Sequence, residues 1–355
     1  MGSDTFPKIS FGIIVLNGEP FIRYCLRSIY AFAYEIIIVE GGHEDARSVC
    51  TPYGHSIDST LDSILSFKRD EDPENKVQII TRDGFWEKTD ELGRHRTHQS
   101  RAYAEKATGD YLWQVDIDEF YKKEDIERVL GLLQKNPSIS GITFPFTNFW
   151  GDSTYKIEGW KFLRGGSYCH RVFKWGPGFK YLTHEPPTII NEQGTDLRSL
   201  KWISGRKMKK MGIYMYHYSH LFPWQVRQKV QVYRDEKPDD CADIIQWADN
   251  NYFKLSNPFN IERHYWMPSW LEHYKGTHPS EVINMLHDIR SGKLHFEMRD
   301  NSDVEPILND RYYNWKVNWM KFYNIWDLYS KNLLFQAGRI KNIPGKLRRL
   351  FRNIF

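Results

Sequence analysis

The feature that most constrains this chain is an alternation in its first 150 residues, where short β-branched apolar runs are separated by stretches of helical repeat. Residues 10–16 (Ser-Phe-Gly-Ile-Ile-Val-Leu) form one such run ending at Asn17-Gly18, which reads as a buried strand entering a turn. Phe21, Ile22, Cys25, Leu26 and Ile29 then recur at spacings of three and four, which predicts a helix. Residues 35–39 predict a second buried strand, closed by Glu40-Gly41-Gly42, and Lys76 to Ile80 a third. A helix is expected from Gly93 to Ala107, then a fourth strand, Tyr111 to Val115, running directly into Asp116-Ile117-Asp118-Glu119. A further helix carries Ile126, Val129, Leu130 and Leu133 on one face, and Gly141 to Phe146 reads as a strand. Apolar strands alternating with helices imply an α/β fold with a mostly parallel sheet covered on both faces, whose ligands gather at the carboxyl ends of the strands. Asn17, Glu40 and Asp116 all fall at such ends.

Elsewhere the pattern changes. Residues 41–75 are polar and acidic and read as an insertion with one short helix around Leu61 to Phe67. Beyond about residue 200 the alternation gives way to Trp-rich helical patterns such as 223–234 and 280–290, so the expected organisation is a domain over 1–200, a helical C-terminal region over 201–338 and a tail over 339–355. Cations exceed acids only slightly, 49 Lys+Arg against 45 Asp+Glu. That excess sits in Arg339, Lys341, Lys346, Arg348, Arg349 and Arg352, in a tail with no acid. A near-neutral body does not suit a nucleic-acid binder. The tail also spaces Leu347, Leu350, Phe351 and Ile354 helically, a pattern of either a peripheral membrane helix or a helix packed on the protein. The four cysteines are widely spaced, which favours a reducing, cytoplasmic setting, and no apolar stretch approaches the ~20 residues of a membrane span. The 55 aromatic residues, 13 Trp, 21 Tyr and 21 Phe, serve either core filling or contact with sugars and bases.

Asp116-Ile117-Asp118 carries the clearest chemistry. Two carboxylates one residue apart converge on a hard divalent cation, Mn²⁺ or Mg²⁺, which in turn binds diphosphate oxygens. Alone, such a pair occurs in many solvated turns; its place at a strand end is what points to a ligand.

The ordered motifs over roughly residues 8–190 resemble a family 2 glycosyltransferase of the GT-A fold, in a branch with a downstream His-Glu motif. Phe11 to Glu19 with Leu26-Arg27-Ser28-Ile29 looks like the family's first strand, turn and helix, and Ile36 to Asp45 resembles its second-strand motif. There Glu40 replaces the usual Asp and His43 the usual Ser. Gln99 to Glu119 resembles the approach to the family's DxD-Glu signature, with Arg101 where Asn is commoner. The resemblance implies a metal-dependent, inverting transfer of a sugar from a nucleotide-diphosphate sugar donor to a hydroxyl acceptor such as a glycan, glycolipid or glycoconjugate. By the same resemblance, Leu16, Asn17, Glu19, Glu40, Gly42, Asp45, Arg101 and Asp116 would line the nucleotide side. Asp116 and Asp118 would hold the metal, with His184 or His217 completing its shell and His220 a weaker candidate. Region 201–338 would contribute to the active-site cleft.

His170-Arg171 and His184-Glu185 resemble a further segment of that branch. Inverting transfer needs a base for the acceptor hydroxyl. Glu185 is the first candidate, its alternative part being a turn residue before Pro186-Pro187, and Asp152 is the reserve. The cationic run Lys201, Arg206, Lys207, Lys209 and Lys210 reads as a solvated loop or as steering for anionic donors. Two other classes stay open. A sugar nucleotidyltransferase would carry a Gly-rich basic loop after the first strand, and Asn17-Gly-Glu-Pro-Phe is not one. A non-catalytic carbohydrate- or membrane-binding protein would share the fold without metal-dependent nucleotide binding.

Overall fold

A computed structural model of the chain describes residues 6–87, 96–236, 242–262 and 267–339, over 327–339 as backbone alone. The expected tail therefore lies outside the described residues from position 340 onward, as do residues 93–95 of the helix expected from Gly93.

The elements in chain order are β1 (Ile9–Val15), α1 (Phe21–Tyr30), β2 (Glu35–Glu40), a 3₁₀ turn (Glu44–Val49), α2 (Thr60–Asp70), β3 (Val77–Ile80), α3 (Thr97–Lys106), β4 (Tyr111–Asp116), β5 (Glu119–Phe120), α4 (Lys123–Lys135), β6 (Gly141–Trp150), β7 (Asp152–Gly159), β8 (Tyr168–Lys174), β9 (Lys180–His184), β10 (Pro187–Ile190), β11 (Trp202–Ile203), α5 (Gly205–Lys210), β12 (Met215–His220), α6 (Pro223–Glu236), α7 (Ala242–Ala248), β13 (Ser269–His273), α8 (Ser280–Arg290), α9 (Val304–Leu308) and α10 (Arg311–Arg339). The main sheet runs β13-β7-β6-β8-β4-β1-β2-β3. Its core is parallel, β1 pairing with both β2 and β4, and β2 with β3. From β4 outward it turns antiparallel, through β8 and then β6. This is the expected α/β architecture, a parallel core flanked by helices.

The sequence explains why β1 and β2 show no polar face. Ile9, Phe11, Ile13, Val15, Ile36 and Ile38 point to one side, into the core beneath α1, α4 and α8. Ile37, Val39 and Leu112 point to the other and pack with Tyr103 and Ala104 of α3. Period-2 alternation thus divides apolar residues between two helical layers. On the α3 side the spacing is so close that a Cβ on Gly12 would stand 2.4 Å from the Tyr103 ring.

The C-terminal region departs from the helical expectation in one respect. It supplies α5 to α10, and it also returns β11, β12 and β13 to the main sheet, so residues 201–338 share that sheet with residues 1–200. β12 is Met-Tyr-His-Tyr-Ser-His, aromatic and polar, and it enters between β5 and β6. Such a strand lacks the apolar run that makes a strand readable, because its neighbours decide which residues are covered.

Gly12→Ala should destabilise the protein by about 1–3 kcal/mol through overpacking against Tyr103. Gly131→Ala, on α4 where a Cβ meets nothing within 4 Å, should be neutral or stabilising by up to about 1 kcal/mol. Urea denaturation of the two variants checks the contrast, and equal midpoints would rule out the close α3 packing.

Candidate active site

β1 is flanked by β2 on one side and β4 on the other, so the chain reverses its direction of sheet growth between β1 and β4. A crevice opens at the carboxyl ends of strands at such a reversal. Asn17 leaves β1 there, and Asp116 and Asp118 leave β4.

Three carboxylates, Asp116, Asp118 and Glu119, crowd this end of β4, and Arg171 of the antiparallel neighbour β8 compensates them. Its Nε donates to Glu119 Oε2 at 2.8 Å, and its Nη2 donates to Glu119 Oε1 at 2.5 Å and to Asp116 Oδ2 at 2.8 Å. Glu119 and Arg171 are both buried. The Asp116 amide donates to Glu119 Oε2 at 3.2 Å, so Glu119 also braces the turn. Burial works to raise the Asp116 carboxyl, but Arg171 and then His184 outweigh it and hold it below the usual range.

Asp118 has a different partner. His217 Nε2 lies 3.6 Å from Asp118 Oδ1, brought there because β12 pairs His217 with Glu119 and the Tyr218 amide donates to the Asp118 carbonyl. Burial again opposes ionisation, yet His217 and Lys229 together hold the Asp118 carboxyl down to about 2. Lys229, on α6, donates from Nζ to the Ser219 carbonyl at 2.7 Å. His184, at the end of β9, is buried with Nδ1 2.7 Å from Ser100 Oγ of α3. Desolvation lowers its pKa to about 4, against the pull of Asp116, so the ring is neutral near pH 7. A neutral imidazole anchored through one nitrogen suits a metal ligand or a hydrogen-bond partner.

Of the residues expected on the nucleotide side, Glu40, Asn17 and Gly42 meet the loop over 49–57, whereas Glu19 and Arg101 bind elsewhere. The Glu40 carboxylate is fully buried; Oε1 accepts from the Ser56 amide at 2.7 Å and the Ser56 hydroxyl at 2.8 Å, while Oε2 lies 2.9 Å from His55 Nδ1 and 3.1 Å from the Thr81 hydroxyl. Asn17, in the left-handed region at φ 52° that Asn tolerates, donates from Nδ2 to the Val49 carbonyl and accepts the Ile57 amide on Oδ1. Glu19 accepts from the Ser63 hydroxyl of α2. Gly42 has no room for a side chain, since a Cβ would lie 2.2 Å from Cys50 Sγ and 3.3 Å from Leu16 Cδ2. Arg101 donates to the Tyr181 and Leu182 carbonyls and so ties α3 to β9.

The base candidates are placed differently. Glu185 is exposed at the tip of the β9–β10 hairpin, next in sequence to His184. Asp152 turns the chain between β6 and β7: its Oδ1 accepts from the Thr154 amide and hydroxyl, and its Oδ2 lies 3.9 Å from Arg290. Among the described residues no hydrogen bond or ion pair joins Asp152 to the Asp116–Asp118 group.

The metal set expected from the sequence, Asp116, Asp118, His184 and His217, is not gathered into one compact shell. Among the described residues the grouping whose donor atoms lie within 4.8 Å of one another is His43, Asp45 and Glu236. Two carboxylates with an adjacent imidazole nevertheless fit a hard divalent ion that takes the rest of its ligands from phosphate oxygens and water. The parts of Arg171 and Glu119 as a buried pair were not read from the sequence. A lone Arg beside the apolar Val172-Phe173 of a strand is a signal of a buried charge that must find a partner.

No family model matches the chain, and no curated protein matches it. Solved structures to which it is similar include Staphylococcus aureus TarS, at 12% identity and a TM-score of 0.35, covering 72% of this chain and 45% of that one. S. aureus TarS 1-349 in complex with UDP-GlcNAc is 16% identical, with a TM-score of 0.30 and coverage of 40% and 35%. Glucosyl-3-phosphoglycerate synthase from Mycobacterium tuberculosis, in complex with Mn²⁺, uridine-diphosphate and glucosyl-3-phosphoglycerate, is 15% identical, with a TM-score of 0.26 and coverage of 41% and 44%. The chain spans less than half the length of each of these structures.

Arg171→Met should cost about 3–5 kcal/mol, because it leaves the buried Glu119, whose carboxyl burial already pushes up to about 7, without its partner. Arg171→Met combined with Glu119→Gln should recover a large part of that loss. Chemical denaturation of the single and double variants measures the coupling, and additive losses would show that the pair is not the compensating unit.

Proposed function

We propose that the protein is a glycosyltransferase that uses a nucleotide-diphosphate sugar and a divalent cation of the Mn²⁺ or Mg²⁺ kind. The observation that carries this reading is the placement of Asp116 and Asp118 at the crevice between the carboxyl ends of β1 and β4, with Asp118 kept ionised beside His217. An anionic pair in such a crevice suits a cation shared with a diphosphate.

Asp116 and Asp118 would hold the ion, with His217 or His184 as a further ligand. Bound there, the ion supplies Lewis-acid stabilisation to the departing diphosphate. The chain's own residues do the rest. Arg171 takes Glu119 and one oxygen of Asp116, which limits the negative charge facing an incoming diphosphate. Asn17 and Glu40 lock the 49–57 loop beside the nucleotide side of the crevice, and Leu16, Gly42 and Asp45 complete that wall. Glu19 fastens the first turn to α2, and Arg101 fixes β9 and with it His184. Glu185 is the base: as the acceptor oxygen bonds to the anomeric carbon and the bond to the diphosphate breaks, the hydroxyl proton passes to its carboxylate. Attack opposite the leaving group inverts the anomeric centre. The acceptor is a hydroxyl of a glycan, glycolipid or glycoconjugate.

Calorimetric titration with UDP, GDP, CMP and dTDP, each with Mn²⁺ and again with EDTA, tests the reading. One nucleoside diphosphate should bind at micromolar concentration with Mn²⁺ and not with EDTA, and Asp118→Ala should weaken that binding by more than about tenfold while the circular dichroism spectrum keeps its folded form. Metal-independent binding, or none, would defeat the proposal.

Glu185→Gln should retain donor binding while transfer, followed as nucleoside diphosphate release, falls by about 10²–10⁴. Near-normal turnover would remove Glu185 from the role of base.

A further inference from the structure

Helix α10 carries two opposed faces. Tyr313, Val317 and Met320 are buried in the core that holds Trp270 and Leu271, and the buried Asn324 accepts from Arg164 Nε. Around the other side stand Tyr312, Trp315, Trp319, Phe322, Tyr323 and Trp326. At 100° per residue these six rings fall within an arc of about 100° and extend about 20 Å along the axis. Trp315, Trp319, Phe322 and Trp326 are each between 49% and 65% exposed. Scattered exposed rings are ordinary in a folded protein, but a contiguous stripe of them marks a contact surface.

We propose that this face of α10 is a docking surface for an anionic lipid interface. The residue types favour it. Trp and Tyr combine an apolar ring with a polar edge and partition to the headgroup level of a bilayer, whereas a helix–helix seam is built mainly of Leu, Ile and Val. Charge favours it as well. From Leu328 to Phe355 the sequence contains Lys331, Arg339, Lys341, Lys346, Arg348, Arg349 and Arg352 and no Asp or Glu. Such a segment is drawn to anionic headgroups, while a second copy of the chain would bring two like-charged segments together. Among the described residues no helix is long and apolar enough to cross a membrane. Among the described residues the ring contacts of Tyr312, Trp315, Trp319 and Tyr323 are with one another and with Trp160, none with Asn17, Glu40, Asp116 or Asp118, so lipid docking and donor binding can be tested separately.

The test uses the full chain and vesicles of phosphatidylcholine alone or mixed with phosphatidylglycerol. The protein should co-sediment with the phosphatidylglycerol vesicles, less so at higher salt. Trp319→Ser with Phe322→Ser should reduce the bound fraction at least tenfold at unchanged melting temperature and unchanged nucleotide binding. Among the described residues the exposed tryptophans are Trp315, Trp319 and Trp326. Lipid brominated near the carbonyl should therefore quench the wild-type fluorescence, which reports on this face without any substitution. Absence of vesicle binding, or equal binding by the double variant, would overturn the proposal. So would light scattering that shows a dimer which the double variant converts to a monomer, because a second copy would then cover the face.

Discussion

A buried Arg171 makes the end of β4 tenable. Asp116, Asp118 and Glu119 lie within four residues at the edge of a core, where desolvation and mutual repulsion both oppose their ionisation. The Arg171 fork offsets part of this by taking both oxygens of Glu119 and one of Asp116, while burial still pushes the Glu119 carboxyl up to about 7. That leaves Asp118 to face His217 across 3.6 Å. Arg171 reaches this position because β8 runs antiparallel to β4. The change from parallel to antiparallel pairing and the charge balance of the site are therefore one event in the fold.

The site draws on segments far apart in the chain. β12 enters between β5 and β6 and brings His217, and the helix that follows brings Lys229 into electrostatic reach of Asp118. Opposite them, the buried Glu40 and the left-handed Asn17 clamp the 49–57 loop through side-chain and backbone bonds. On the proposed reading, a wall held by buried hydrogen bonds and a cluster of paired charges would need little reorganisation when the diphosphate arrives. α10 stands on a separate hydrophobic cluster with Trp150 and Trp270.

Much of the first 150 residues was legible because the relevant physics is local. Residues 10–16, 35–39 and 111–115 are apolar without a polar face, so they had to be strands buried on both sides, and the three- and four-residue spacing from Phe21 to Ile29 had to be a helix. Asp116 and Asp118 were legible for the same reason, since a strand of six residues delivers them together to one end of the sheet. Other site features were hidden. Glu40 reads as a carboxylate on the nucleotide side, and its oxygens bind Ser56, His55 and Thr81, none of which is near it in sequence. Asp152 reads as the reserve candidate for the base, and its local contacts with the Thr154 amide and hydroxyl are not visible from its place in the sequence.

What the sequence by itself determined was the periodicity: which segments are strands or helices in the N-terminal half, which ends carry carboxylates, and that positive charge is concentrated in the last residues. What the tertiary structure alone decided was pairing. β12 became a strand, Arg171 met Glu119 and Asp116, His217 met Asp118, and the rings of α10 were left facing outward. Periodicity is set by bonds and contacts within a few residues, whereas these pairings join groups about 50 to 100 positions apart, and their energy depends on burial that exists only once the sheet has closed around them.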